Sequence, residues 1–314
     1  MLPGTPPGSV ARAATGRRPD HDARGSAAGP GDPDGGDCPV NAVELQAKKA
    51  RREPLVVLTC SDYPSALWQE AAGVDIVFCA DSLGTNLLGY QDEREVTMDD
   101  MIHHLKAVRR GLSGKGSYLL ADLPYGSCDT PEKALGNSLR FRAIGADGVK
   151  FEGFKPDTVR LLRKRGIDVC CHLGLNPQIH AEKKVQARTA EDAIRLLREC
   201  AELEVAGAQF IVLEAIPERV GRIISERLSI PTIGIAAGRY TDGQVLVVTD
   251  ALGVHDFGSR HVKRFAEIGP QAAAGVALYV HQVRQRQFPA PEHRWKMKQE
   301  QADALDEWLA ANPN

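Results

Sequence analysis

Five apolar segments of this chain each end in a polar side chain that could take part in chemistry. The first, at 77–84 (Val-Phe-Cys-Ala-Asp-Ser-Leu-Gly), delivers Asp81 and Ser82 just before a glycine that lets the backbone turn. The other four segments end in Asp122, in Lys150 with Glu152, in His172 and in Glu214. Parallel strands that deliver such groups at their carboxyl ends place them at one edge of a sheet, where ligands bind. The repetition therefore predicts an enzyme.

Asp81 and Asp122 are candidates for binding one divalent cation, because they follow neighbouring predicted strands. Two carboxylates, several waters and a chelating substrate make a typical Mg2+ environment. The alternative is structural, with each acid capping the following helix or binding loop amides. Since Lys150, Glu152 and Glu214 are predicted at the same edge, we favour the metal site.

Glu214, Lys150, Glu152 and His172 have distinct candidate roles. Glu214 ends the most apolar of the five segments, and such surroundings suit a carboxylate to general-base catalysis. Lys150 and Glu152 share one strand face, where Lys150 could neutralise a carboxylate or a developing enolate and Glu152 could support the metal directly or through water. The alternative for this pair is a buried ion pair that only orders the fold. His172 has no second His or Cys at ligand spacing, so it is interpreted as a hydrogen-bonding pocket residue or a core histidine.

The elements that must position these groups alternate along the chain. Apolar runs rich in Val, Ile and Leu alternate with amphipathic stretches from residue 54 onwards. Strands are predicted at 55–59, 75–80, 117–122, 147–152, 168–172, 209–214, 231–235 and 245–249. Helices are predicted at 63–72, 98–111, 131–144, 156–166, 189–206, 216–228 and 260–286. Eight such units predict an α/β fold, a single (β/α)8 TIM barrel. A doubly wound sheet is the alternative, although it would gather ligands mainly at one switch point.

The barrel is predicted over residues 41–295, between two segments of different composition. Residues 1–40 are rich in Gly, Pro, Ala, Asp and Arg, which predicts a disordered N-terminal extension, and residues 296–314 predict an extra C-terminal helix. The formal net charge of −2 indicates no attraction to nucleic acid, so no nucleic-acid partner is expected. No apolar run approaches the ~18 residues that span a bilayer, so no membrane partner is expected either. Seven cysteines without metal-type spacing indicate a reduced, cytoplasmic protein.

Motifs across residues 42–297 resemble those of the ketopantoate hydroxymethyltransferase (3-methyl-2-oxobutanoate hydroxymethyltransferase) family. In order along the chain they are Asp81-Ser-Leu-Gly, Ala121-Asp-Leu-Pro, Val149-Lys-Phe-Glu-Gly, His172-Leu-Gly-Leu-Asn-Pro-Gln, Leu213-Glu-Ala-Ile-Pro, Thr241-Asp-Gly-Gln and Phe288-Pro-Ala-Pro-Glu-His. Their shared order and spacing make the match specific, whereas no single motif would. This family consists of (β/α)8 barrels related to phosphoenolpyruvate mutase and isocitrate lyase, so the resemblance implies the same fold.

The resemblance also implies a reaction and its participants. It implies Mg2+-dependent transfer of a hydroxymethyl group from 5,10-methylenetetrahydrofolate to 3-methyl-2-oxobutanoate, giving 2-dehydropantoate in pantothenate biosynthesis. Together with the strand-end residues, it gives a predicted site in which the metal ligands are Asp81, Asp122 and Glu152, the substrate-binding residues are Ser82, Asp81, Asp122, Lys150 and His172, and the catalytic base is Glu214. Because bacterial members commonly form decamers, a homo-oligomer is expected.

The chain departs from the family pattern at the walls of the expected pocket. Ala80 and Ala236 stand where glycines are usual, Cys60-Ser61 replaces Ala-Tyr, and 182–187 (Glu-Lys-Lys-Val-Gln-Ala) lacks the glycines of the family's mobile segment. Two alternatives follow. One is a specialised relative that performs an aldol-type C–C bond reaction on a different 2-oxo acid, and the other is a non-catalytic barrel subunit.

Overall fold

Eight parallel strands form a closed barrel in this computed structural model, which describes residues 40–114, 116–180, 182–256 and 258–313. Each strand pairs with the next in sequence order, and β8 pairs with β1. The strands are β1 Leu55–Thr59, β2 Ile76–Cys79, β3 Tyr118–Asp122, β4 Gly148–Glu152, β5 Asp168–Gly174, β6 Phe210–Glu214, β7 Thr232–Ile235 and β8 Gly243–Leu246. The predicted TIM barrel is confirmed and the doubly wound sheet is excluded. The N-terminal extension predicted to be disordered spans residues 1–40, of which residues 1–39 lie outside the described ranges.

Ten α-helices of the described ranges surround or follow the barrel. They are α1 Ala42–Arg51, α2 Tyr63–Ala71, α3 Met98–Gly111, α4 Pro131–Ile144, α5 Pro156–Lys164, α6 Ala190–Ala206, α7 Glu218–Arg227, α8 Val248–Ala251, α9 Ile268–Arg284 and α10 Gln299–Ala311. Local signals set their ends. The Thr130 hydroxyl accepts the Lys133 N–H at 3.2 Å ahead of Pro131, and Gly145 ends the same helix at φ 104°, a left-handed conformation that favours glycine. No helix of the described ranges is long and apolar enough to cross a membrane.

The eighth strand and the helix after it differ from the sequence prediction. The apolar run at 245–249 predicts a strand, but β8 ends at Leu246 and α8 begins two residues later. The reason is that the Val248 N–H is donated to the Thr59 hydroxyl at 2.9 Å, so it leaves the strand ladder. The following long helix, predicted from residue 260, begins at Ile268.

Side chains of the strands alternate between two apolar layers, as the period of two requires. Ile76, Phe78 and Leu120 belong to the layer inside the barrel, whereas Val77 and Leu119 belong to the layer beneath the helices. The outer layer is incomplete at the β8–β1 seam, where Val56 is 51% exposed. None of the residues of α9, the long helix that follows this seam, is buried. Within the described ranges, this seam therefore lacks the helix that normally covers a barrel strand.

Candidate active site

A cavity of about 950 Å³ opens at the carboxyl ends of the strands. It is lined by every site residue predicted from the sequence, namely Asp81, Ser82, Asp122, Lys150, Glu152, His172 and Glu214. Parallel strands explain this convergence, because all of them end at the same rim of the barrel. Ser82 follows Asp81 just beyond β2, and its backbone carbonyl accepts a hydrogen bond from the Asn86 side chain at 2.9 Å, which orders this turn.

Lys150 lies between two buried carboxylates. Its Nζ is 2.9 Å from Oδ2 of Asp122 and 3.5 Å from Oε1 of Glu152, and the three side chains are no more than 4% exposed. Burial by itself lowers the pKa of the Lys150 ammonium, but Asp122, Glu152 and Asp81 outweigh it and hold the pKa well above its ordinary value. Lys150 therefore carries a fixed positive charge at the floor of the cavity.

The acidic groups around Lys150 exceed what one ammonium can neutralise. Burial, and then the neighbouring charge of Asp81, raise the pKa of Asp122 well above its ordinary value. Oδ1 of Asp122 is buried and has no hydrogen-bond partner in the described ranges. Within those ranges, no group of three or more His, Cys, Asp or Glu side chains forms a metal cluster. Two carboxylates with an unpartnered buried oxygen nevertheless fit Mg2+, which usually keeps several waters and needs few protein ligands.

His172 lies between the acids of two strands. Its Nε2 is 3.2 Å from Oε2 of Glu214, and its Nδ1 is 3.6 Å from Oε1 of Glu152. Neither contact has hydrogen-bond geometry, although both ring nitrogens are buried. The Glu214 side chain is 20% exposed, and it is less enclosed than the apolar strand predicts because it ends β6 at the open mouth. The imidazole thus contacts the carboxylate predicted to be the base.

Gln178 holds two of the acids in place and was missed as a site residue by sequence reasoning. Its Nε2 donates to Oδ2 of Asp81 at 2.7 Å and to the Leu123 carbonyl at 3.3 Å, and its backbone N–H donates to Oε2 of Glu152 at 2.9 Å. The one available signal was its place at the end of the motif that begins at His172. A single amide side chain thereby links the loops after β2, β3 and β5.

Two of the alanines that replace family glycines have left-handed backbones. Ala187 has φ 52° and Ala236 has φ 53°. This region costs a residue with a Cβ roughly 1–2 kcal/mol, whereas glycine reaches it without that cost. The backbone at both positions is therefore one that suits glycine. Ala236 lines the cavity, so its methyl group adds to the cavity wall.

Comparison with known proteins identifies the family. The ketopantoate hydroxymethyltransferase family matches residues 39–291. A 3-methyl-2-oxobutanoate hydroxymethyltransferase from Deinococcus radiodurans is 44% identical over 261 residues, which cover 80% of this chain and 91% of the relative. One from Thermus thermophilus is 43% identical over 253 residues, covering 78% of this chain and 96% of the relative.

Solved structures with low sequence identity share the fold. A phosphonopyruvate hydrolase has a TM-score of 0.54 at 13% identity, covering 87% of this chain and 99% of that chain. A 2,3-dimethylmalate lyase, a member of the PEP mutase/isocitrate lyase superfamily, has a TM-score of 0.51 at 14% identity, covering 86% of this chain and 97% of that chain. At such identities the likeness concerns the barrel alone. The family match and the two relatives above decide the classification: the chain belongs to the ketopantoate hydroxymethyltransferase family.

Proposed function

We propose that this protein transfers a hydroxymethyl group from 5,10-methylenetetrahydrofolate to 3-methyl-2-oxobutanoate and produces 2-dehydropantoate. One observation carries the proposal: the charged groups at the ends of β2 to β6 all line a single cavity in a member of this family. Relatives at 42–44% identity are named 3-methyl-2-oxobutanoate hydroxymethyltransferase, which supports the acceptor and the group transferred. Net transfer consumes one water, whose oxygen becomes the new hydroxyl as tetrahydrofolate is released.

In this proposal Asp81 and Asp122 hold Mg2+, with Glu152 close by. When bound, the ion acts as a Lewis acid on the 2-oxo acid and makes its C3–H bond more acidic. The buried Oδ1 of Asp122, which has no partner in the described ranges, supports this assignment. Gln178 orients the Asp81 carboxylate from the other side, because its amide already donates to Oδ2.

The remaining groups bind the substrate and move one proton. Lys150 offsets negative charge on the substrate carboxylate and on the enolate, while Ser82 contacts the 2-oxo acid beside it. Glu214 accepts the C3 proton, and His172 contacts its carboxylate at 3.2 Å. C3 then attacks the one-carbon unit of the folate, which enters the same cavity.

Turnover of a panel of 2-oxo acids tests this function. With Mg2+ and methylenetetrahydrofolate present, 3-methyl-2-oxobutanoate is expected to give the highest kcat/KM, with one tetrahydrofolate released for each hydroxymethylated product. A different 2-oxo acid with a higher kcat/KM would favour the specialised relative. Absence of both turnover and C3 exchange with every acid would favour the non-catalytic barrel.

We also propose that the protein is a homo-oligomer in which α9 of one copy covers the β8–β1 seam of another. Four apolar residues of α9, Val276, Tyr279, Val280 and Val283, have the i, i+3, i+4, i+7 spacing of a helix face that packs on a core. The seam leaves Val56 exposed, although parallel barrel strands are normally covered by helices. Every copy of the chain carries both the uncovered seam and an apolar helix face that could cover it. A second copy of this chain is therefore the proposed occupant of the seam.

Val276→Asp is expected to lower the molecular mass measured by sedimentation velocity, because a carboxylate in the middle of this face cannot be buried without a partner. Val276 is 63% exposed in the single chain, so the monomer fold should survive. Val205→Asp, at a position of α6 that is 83% exposed, is the matched control. An unchanged mass for Val276→Asp, or a monomeric wild type, would contradict the proposed assembly.

The state of the cysteines supports a cytoplasmic location, which we include in the proposal. In the described ranges six cysteines are free and buried, and Cys170 and Cys171 are adjacent on β5. Burial raises the pKa of Cys170 to about 12, so its thiol stays protonated and unreactive at neutral pH. Free thiols of this kind are typical of proteins in a reducing compartment.

A further inference from the structure

The cavity is much larger than a small 2-oxo acid requires. Its volume of about 950 Å³ lies near the top of the roughly 300–1,000 Å³ range of pockets for drug-sized ligands. The predicted catalytic groups follow β2 to β6 and occupy one side. The opposite side, formed by β7, β8 and the segment after them, includes the apolar residues Ile235, Val245, Val247 and Val262. This side has room for a second, flat molecule.

Asp250 is a buried carboxylate in this second half of the cavity. It belongs to α8, is 7% exposed and lines the cavity. Its Oδ1 is buried and has no hydrogen-bond partner in the described ranges. Burial raises the pKa of Asp250, and its electrostatic interactions with His255, His261 and Arg264 only partly offset that effect. A buried acceptor without a donor is costly, so the site is ready for a ligand that supplies N–H groups.

We propose that Asp250 binds the aminopyrimidinone edge of the pterin ring of methylenetetrahydrofolate. The inference rests on the proposed function and deepens it, because it names the residue that recognises the one-carbon donor. That edge carries a ring N–H next to an exocyclic amine, and two parallel donors match the two oxygens of one carboxylate. The flat ring would lie against the apolar wall of β7 and β8, with its one-carbon unit directed at the acids of β2 to β6.

The rim of the same cavity fits the other end of a folate. Lys183, Lys184 and Arg260 line the mouth, and all three are exposed. Lys183 donates to Glu93 at 2.8 Å and Lys184 pairs with Glu182, but the two lysine side chains are 61% and 73% exposed, and such pairs are easily exchanged for another carboxylate. The glutamate carboxylates of a folate would meet this basic rim. With its pterin inside the cavity and its glutamate tail at the rim, the folate would enter the cavity in one orientation.

Asp250 has a structural alternative, which the experiment must separate from ligand binding. The carboxylate interacts electrostatically with His255, His261 and Arg264 of the following segment, so it could simply order that segment. Asp256 offers a matched control, because its Oδ1 accepts from Nη2 of Arg264 at 2.6 Å while its side chain is 98% exposed. Asp250→Asn and Asp256→Asn each remove one negative charge near Arg264, but only the first changes the cavity.

Binding of tetrahydrofolate, measured by calorimetry without oxygen and with 3-methyl-2-oxobutanoate present, tests the proposal. This mixture cannot turn over, because it lacks the one-carbon unit. Asp250→Asn is expected to weaken binding about 10- to 100-fold, as for a lost hydrogen bond to a charged group, whereas Asp256→Asn is expected to bind like the wild type. A tetrahydrofolate analogue without the 2-amino group should bind more weakly to the wild type but not to Asp250→Asn. Exchange of C3–H, which needs no folate, should stay unchanged in both variants.

Three results would overturn the assignment of Asp250. The first is that Asp250→Asn binds tetrahydrofolate with wild-type affinity. The second is that removing the 2-amino group weakens binding equally in the wild type and in Asp250→Asn. The third is that Asp250→Asn lowers both the melting temperature and the rate of C3 exchange, which would indicate the structural role. Failure of the proposed function itself is read separately. Wild-type protein with Mg2+ would then show no C3 exchange with any 2-oxo acid, whatever the outcome of the binding measurement.

Discussion

Glu214→Gln is expected to slow exchange of the C3 hydrogen of 3-methyl-2-oxobutanoate in D2O by ~10²-fold or more, the usual share of a general base. The amide has nearly the same volume as the carboxylate and can still contact His172, so the pocket should survive and the substrate should still bind. It cannot accept the C3 proton. Since exchange requires no folate, NMR of the 2-oxo acid isolates proton removal from one-carbon transfer.

Glu218→Gln is the control for that variant, because Glu218 begins α7 only four residues away and is not among the cavity-lining residues. Its exchange rate should equal that of the wild type. If Glu214→Gln exchanged at the wild-type rate while hydroxymethyl transfer failed, Glu214 would act after proton removal. His172, which contacts Glu214, and Glu152, which lines the same cavity, would then be the first candidates for the base.

Removal of divalent metal with a chelator is expected to abolish both C3 exchange and hydroxymethyl transfer, and added Mg2+ should restore both. Without the ion, Lys150 alone would have to offset the charge of the enolate. The charge of Lys150 is already partly offset by Asp81, Asp122 and Glu152. Full activity of the metal-free protein would disprove the assignment of Asp81 and Asp122 as metal ligands.

The melting temperature gives a second readout of the metal site that does not depend on activity. Mg2+ should raise the melting temperature of the wild type, because a ligand that binds only the folded state stabilises it. Asp122→Asn should lose this shift, whereas Asp129→Asn, an exposed acid in the loop after the same strand, should keep it. An equal Mg2+ shift in Asp122→Asn would place the ion elsewhere.

The sequence by itself determined the barrel and the positions of its charged groups along the chain. Strand periodicity and helix caps are local signals, so the predicted strands agree with the observed ones within two residues except at β8, where the prediction ran on to residue 249. A parallel barrel also brings the carboxyl end of every strand to one rim, so the sequence alone predicts that Asp81, Lys150 and Glu214 meet there. The family motifs then connected this arrangement to a reaction.

Only the tertiary structure decided which groups touch. Gln178 reaches Asp81 across 97 residues, and the pattern of its own segment gives no indication of that contact. Asp250 directly follows the apolar run predicted as a strand at 245–249, and sequence reasoning assigned it no role. In the structure the Thr59 hydroxyl accepts the Val248 N–H, and α8 then places the Asp250 carboxylate at the cavity. The exposure of α9 was likewise decided by the tertiary structure. Its apolar face predicts burial, but the sequence does not indicate which surface buries it. Local sequence patterns determine the helices and strands, whereas contacts between distant segments depend on how the closed barrel brings those segments together.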